Sequence, residues 1–336
     1  MSGSIRRFDG STTTRRRRSI AAAAVLVLAA SAVNAAAQAD EASLRKAVAW
    51  QIALNRVGFS PGLIDGRIGP KTELATREFQ RVRRLPVTGR LDDATAKALG
   101  VDPDNAFGWY VITAADLAEI GPLPSSWVAR SKLSRLGHAS LETVLAEKFQ
   151  CATHLLATLN PGRSINTMKP GDRVAVPNVV ESALAVPTAA SIEINLQQKV
   201  IRVLDDQGRL AALFHCSVAA DKTRMPSGNA QVTLVVRDPD YMFDPKKWPE
   251  VREPVPGRLR IPPGPRNPVG RVWMQLSLPG YGMHGTPNPE LIGKTGSHGC
   301  FRLTNWDAVR LSRMVRPGTP VRFVDHPLVQ LASTGR

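Results

Sequence analysis

The stretch His284-Gly-Thr-Pro-Asn-Pro-Glu-Leu-Ile-Gly-Lys-Thr-Gly-Ser297-His298-Gly299-Cys300-Phe301-Arg302-Leu303 places a cysteine directly behind Ser-His-Gly. A second histidine stands thirteen residues ahead of the serine. A thiol that attacks a carbonyl needs a base to take its proton and donors to hold the oxyanion. Histidine is the usual base near neutral pH. Gly299 leaves room for a carbonyl to approach the backbone beside Cys300. The window therefore holds the parts of an acyl-transfer site. The competing account is an accidental pairing, because a free cysteine is most often a small buried hydrophobe.

The whole string resembles the active-site motif of the L,D-transpeptidase (YkuD) family: His-Gly-Thr, a spacer, then Ser-His-Gly-Cys-hydrophobic-Arg-Leu. Pro265-Arg-Asn267-Pro268-Val-Gly270 is similar to the segment that precedes the active-site strand in that family. The resemblance implies Cys300 as nucleophile and His284 as proton acceptor and donor, its ring oriented by the Gly285 carbonyl. It implies an oxyanion hole from the N–H groups of Gly299 and Cys300, with Ser297 and His298 shaping the loop. An imidazolium beside the thiol would lower the thiol pKa. Arg302 either binds a stem carboxylate in a two-point contact or serves local structure.

The implied reaction is acyl transfer from a tetrapeptide stem of peptidoglycan, with D-alanine leaving. The acceptor is an amine on a second stem or on a wall-linked protein. No metal or organic cofactor is implied. The same acyl-enzyme attacked by water would make an L,D-carboxypeptidase or endopeptidase. A wall-binding scaffold without catalysis is a third class, disfavoured by the intact His284, Gly299 and Cys300.

With 336 residues the chain has room for two or three domains. Residues 1–39 carry Arg6, Arg7 and Arg15 to Arg18 against Asp9, then an apolar run and Ala37-Gln38-Ala39. That pattern predicts a signal peptide rather than a membrane span, because the apolar run is too short. Export to the periplasm or cell wall follows, with no transmembrane segment after cleavage. The net charge of +16 exceeds what this leader contributes, so the remainder meets anionic partners. No helix-turn-helix, zinc finger or basic-aromatic platform points to nucleic acid. The three cysteines leave at least one unpaired, and Cys151 and Cys216 either bridge or are two buried thiols.

Three domains follow the leader in an expected α+β arrangement. Residues 42–100 read as a three-helix unit, with Pro70 opening one helix and Asp92 capping another. Its phrases Asn55-Arg-Val-Gly58-Phe59, Asp65-Gly66, Gly69-Pro70-Lys71-Thr72 and Leu85-Pro86-Val87-Thr88-Gly89 resemble a peptidoglycan-binding domain. This unit is expected to be a separable wall anchor. Residues 108–178 read as strand, helix, helix, strand and resemble a LysM module, apart from a long segment between Thr113 and Leu141. Residues 190–325 show period-two alternation from Ile192 onward, predicting a β-rich, sandwich-like catalytic domain. Its proline-rich insert, 238–269, is expected to be a lid over the substrate or a surface loop.

Overall fold

The computed structural model describes residues 38–122, 124–179, 187–248, 251–297 and 299–325. The signal-peptide reading of 1–39, apart from its last two residues, lies outside them, as does His298. No helix among the described residues is long and apolar enough to cross a membrane.

Residues 46–56 form helix α1, followed by α2 (Pro70–Val82) and α3 (Asp93–Leu99). Proline sits in the first turn of α2, where its missing N–H costs nothing. Asp92 accepts from the Thr95 N–H to start α3, and Gly100, left-handed, ends it. Trp50, Leu54, Phe59, Ala75, Phe79 and Leu99 make the apolar core of this unit.

The middle segment contains β1 (Phe107–Val111), α4 (Ala114–Ala118), α5 (Trp127–Ser131), α6 (Leu141–Lys148), α7 (Thr153–Leu159) and β2 (Arg173–Pro177). β1 and β2 pair antiparallel, with Tyr110 opposite Val174. Helices α4 and α5 occupy the segment that departs from the LysM pattern.

The C-terminal part supplies β3 (Ser191–Asn195), β4 (Val200–Leu204), β5 (Leu210–His215), β6 (Asn229–Arg237), β7 (Tyr241–Phe243) and β8 (Leu259–Ile261). It continues with β9 (Val272–Leu276), β10 (Gly282–His284), β11 (Phe301–Arg302), α8 (Asn305–Met314) and β12 (Pro320–Val324). Eight strands form one sheet in the order β11-β10-β9-β6-β12-β3-β4-β5. Isolated bridges join Ser217 to Arg302 and Ala219 to Ser297, so the chain just beyond one edge meets the other edge and the sheet curls. The alternate residues Ile192, Ile194, Ile201, Val203, Met274, Met283 and Phe301 fill its core with Ala308 and Leu311 of α8.

The separable anchor expected from the sequence is not what forms. The core of the three-helix unit includes Val200 and Leu213, which belong to β4 and β5. Residues 58–60 lie beside β5: the Ser60 N–H donates to the Leu213 carbonyl (2.9 Å), and the Leu213 N–H donates to the Gly58 carbonyl (2.9 Å). Ser60 Oγ donates to buried Asp307 on α8 (2.9 Å). Arg202 of β4 is buried between Glu78 of α2 and Glu193 of β3. An exposed edge strand invites pairing with another chain, and here the N-terminal unit covers it.

The proline-rich insert packs on the middle segment. Trp127 of α5 stacks on Phe243 of β7 with ring centres 4.0 Å apart, and Glu253 accepts from the Trp127 N–H (2.8 Å). The two stretches that fitted their own domain patterns least well are thus partners.

Candidate active site

Strands β10 and β11 run parallel, with Met283 opposite Phe301 and His284 opposite Arg302. Met283 and Phe301 are fully buried in the core. Side chains alternate along a strand, so His284, Arg302 and the preceding Cys300 share the other face. Strand pairing, rather than the sequence spacing, closes the gap between the two halves of the motif. Trp273 of β9, opposite His284, stacks on its ring at 5.6 Å. Gly282 is needed there, because a Cβ would stand 2.6 Å from the Trp273 ring.

The ring of His284 is held through Nδ1, which donates to the Gly285 carbonyl at 2.6 Å. A carbonyl only accepts, so the hydrogen lies on Nδ1 and Nε2 keeps its lone pair as a base. Behind this turn, Asn305 Nδ2 donates to Glu147 Oε2 (2.8 Å), and Arg271 Nε donates to Glu147 Oε1 (2.6 Å). A Cβ at Gly285 would meet Asn305 Oδ1 at 2.3 Å, so this network sets the backbone that carries His284. Glu147 sits on α6 of the middle segment. Sequence reasoning missed it, since nothing in a helical surface glutamate announces a partner more than a hundred residues away.

Cys300 Sγ donates to the Gly280 carbonyl at 3.6 Å. Ser297 Oγ donates to the Cys300 carbonyl (2.5 Å) and accepts from the Gly299 N–H (3.2 Å). Ser297 thus ties together two residues of the loop. The Gly299 N–H, expected as an oxyanion donor, is already engaged by that serine. Gly299 has φ +154°, a backbone that favours glycine.

Arg302 Nη2 donates to the carbonyls of Thr295 (2.8 Å) and Gly296 (2.5 Å), bracing the loop that leads to Cys300. Its Nε is buried with no hydrogen-bond partner among the described residues. The same loop is held from outside the catalytic sheet. Lys71 Nζ of α2 donates to the Ile292 carbonyl (2.6 Å), and the Gly293 N–H donates to Ser217 Oγ (2.9 Å).

The electrostatics differ from the expected imidazolium–thiolate pair. Burial pushes His284 down to about 4, with Arg302 adding in the same direction and the Gly285 hydrogen bond opposing. Burial also pushes the Cys300 thiol up, against smaller opposing effects of the Gly282 N–H and Arg302. Both shifts favour neutral forms, because a low-dielectric pocket penalises either charge. Cys151 and Cys216 are free and buried, each with its thiol raised to about 12 by burial, and they do not form the bridge entertained from the sequence. No group of three His, Cys, Asp or Glu able to hold a metal occurs among the described residues.

Residues 189–323 match the L,D-transpeptidase catalytic domain family, YkuD, and residues 46–99 match the family described as a peptidoglycan binding domain. Residues 189–323 are thus an L,D-transpeptidase catalytic domain, the enzyme part of the chain, and residues 46–99 an N-terminal peptidoglycan-binding domain. It is 28% identical over 182 residues to the protein of Bacillus licheniformis named as an L,D-transpeptidase, YkuD, a match covering 54% of this chain and 92% of that one. The corresponding protein of Bacillus subtilis is 47% identical over 57 residues, 17% of this chain and 35% of that one. A solved L,D-transpeptidase structure from Xylanimonas cellulosilytica aligns over 82% of this chain and 92% of its own, with 17% identity and a TM-score of 0.34.

Proposed function

We propose that this chain is a cell-wall L,D-transpeptidase that works outside the cytoplasm through a Cys300 thioester. The observation that carries the proposal is the pairing of β10 with β11. It sets His284, its Nε2 left as acceptor, on the face that Cys300 shares. His284 takes the thiol proton as sulfur attacks the carbonyl of the third stem residue. The C–N bond to D-alanine breaks, and the same proton passes to the leaving amine. An acceptor amine then attacks the thioester, its proton passing through His284 to the Cys300 sulfur as the new C–N bond forms and the C–S bond breaks. The partly exposed guanidinium of Arg302, two residues beyond Cys300, is the group we assign to a stem carboxylate.

Incubation of the protein with a soluble disaccharide-tetrapeptide, followed by mass spectrometry, tests this directly. The expected products are a cross-linked dimer and free D-alanine. Trimmed tripeptide alone would assign water as the acceptor, and no reaction would overturn the proposal.

The neutral resting pair predicts a distinctive pH dependence. Because burial raises the thiol, iodoacetamide should alkylate Cys300 with a rate that climbs through neutral pH into the alkaline range. An ion pair would instead give a plateau reached in weak acid. Because His284 is depressed to about 4, the base form persists through neutral pH and the base is lost only as pH falls through about 4. A flat alkylation profile between pH 6 and 9 would show that the resting state is ionised.

A further inference from the structure

A groove of about 1010 Å³ lies away from Cys300, where all three segments meet. The N-terminal unit contributes Asp65, Arg67 and Lys71, and the middle segment contributes Arg130, Glu147 and His154. The catalytic part contributes Arg266 from the proline-rich insert, Trp306, and residues 287–290 and 294 of the loop between His284 and Cys300. Its volume is at the upper end of small-molecule sites, and it is formed by elements that also bear on the active-site loop.

Charge in this groove is not balanced by pairing. Asp65 accepts from Gln51 Nε2 (2.8 Å), and Glu147 is engaged by Arg271 and Asn305. Among the described residues, Arg130 and Arg266 have no carboxylate in salt-bridge range. Arg130 Nε donates to the Pro124 carbonyl (2.9 Å) with its guanidinium over the Trp127 ring, and Glu253 nearby caps α5 instead. Arg266 Nη1 donates to the Pro122 carbonyl at 3.4 Å. Desolvation, then the Arg130 charge beside it, hold Arg266 below the ordinary arginine range. Two guanidiniums lining one groove, with the Glu253 carboxylate that Arg130 feels already engaged by the N–H groups of Trp127 and Val128, form a site that an incoming carboxylate would stabilise. The proline faces and Trp306 offer apolar surface for sugar rings alongside it.

We infer that Arg130 and Arg266 form a carboxylate subsite that holds the peptide stem of a peptidoglycan strand lying in this groove. The inference rests on the wall-directed reading above and adds a second place where the polymer is gripped. It gives the middle segment and the proline-rich insert, which pack on each other, a shared task.

The test is co-sedimentation of the full chain with purified sacculi, either native or with their stem carboxylates converted to amides. Arg130→Gln combined with Arg266→Gln is expected to weaken retention on native sacculi about tenfold, the scale of a lost charge-assisted contact. Amidation should weaken the wild-type chain by a similar factor and the double variant by little more. Equal retention of variant and wild type on native sacculi would overturn the inference, as would an equal loss on amidation in both. Arg266→Gln alone leaves Arg130 on the Trp127 ring and decides the matter if the double variant melts early; a severalfold loss is expected. The tetrapeptide reaction is read separately. Its failure with carboxylate-dependent retention intact would remove the proposed chemistry and leave the subsite standing.

Discussion

Replacing Cys300 with alanine is expected to lower acyl transfer more than about a thousandfold, because loss of the nucleophile from a comparable covalent site costs up to ~10⁶. The fold should survive. Sγ makes a long contact to the Gly280 carbonyl, and the neighbouring strand is anchored by Phe301 in the core. Intact-mass spectra after incubation with the tetrapeptide should show an acyl adduct on the wild-type chain and none on the variant. An adduct that persists in Cys300→Ala would place the nucleophile elsewhere. Cys151→Ala and Cys216→Ala should retain the adduct, since burial raises both thiols to about 12 and neither is in the site.

A chain that begins at Ala189 is expected to fail to reach a stable native state. The truncation uncovers Val200 and Leu213, now 1% and 0% exposed. Re-exposing two such side chains costs about 3–6 kcal/mol at ~1.5–3 kcal/mol each, a large part of the ~5–15 kcal/mol that holds a domain folded. It also takes Glu78 from buried Arg202 and strips the cover from β5. Circular dichroism melts and size-exclusion chromatography measure the outcome, with aggregation or a strongly lowered midpoint expected. Phe59→Ala in the full chain probes the same seam more gently and should cost about 3–5 kcal/mol. A truncated chain that melts cooperatively near the full-length midpoint would show that the seam is decorative.

Much of the site was legible in the sequence because its chemistry is local. Ser297, Gly299 and Cys300 act within one loop, and the Gly285 carbonyl lies one residue from the ring it orients. The helices of residues 42–100 were legible through Pro70, Asp92 and Gly100, each of which acts on its own turn. What stayed hidden depends on partners distant in the chain. Glu147 behind His284, Lys71 on the Ile292 carbonyl and Phe59 beside Leu213 carry no periodicity or motif that names the other end. The protonation states were hidden for a related reason. A sequence shows that thiol and imidazole are both present, but their burial decides which charge the pocket tolerates.

The cover that residues 58–60 place on β5 bears on how such enzymes can be rebuilt. A wall-binding unit joined by a tether can be exchanged for another with attention only to linker length. This one cannot, because a graft would have to supply an extended segment in register with Leu213, a hydroxyl for Asp307 and an acid for Arg202. Chimaeras that retarget this catalytic sheet to another polymer must therefore transplant the seam and vary only the outward loops of the N-terminal unit.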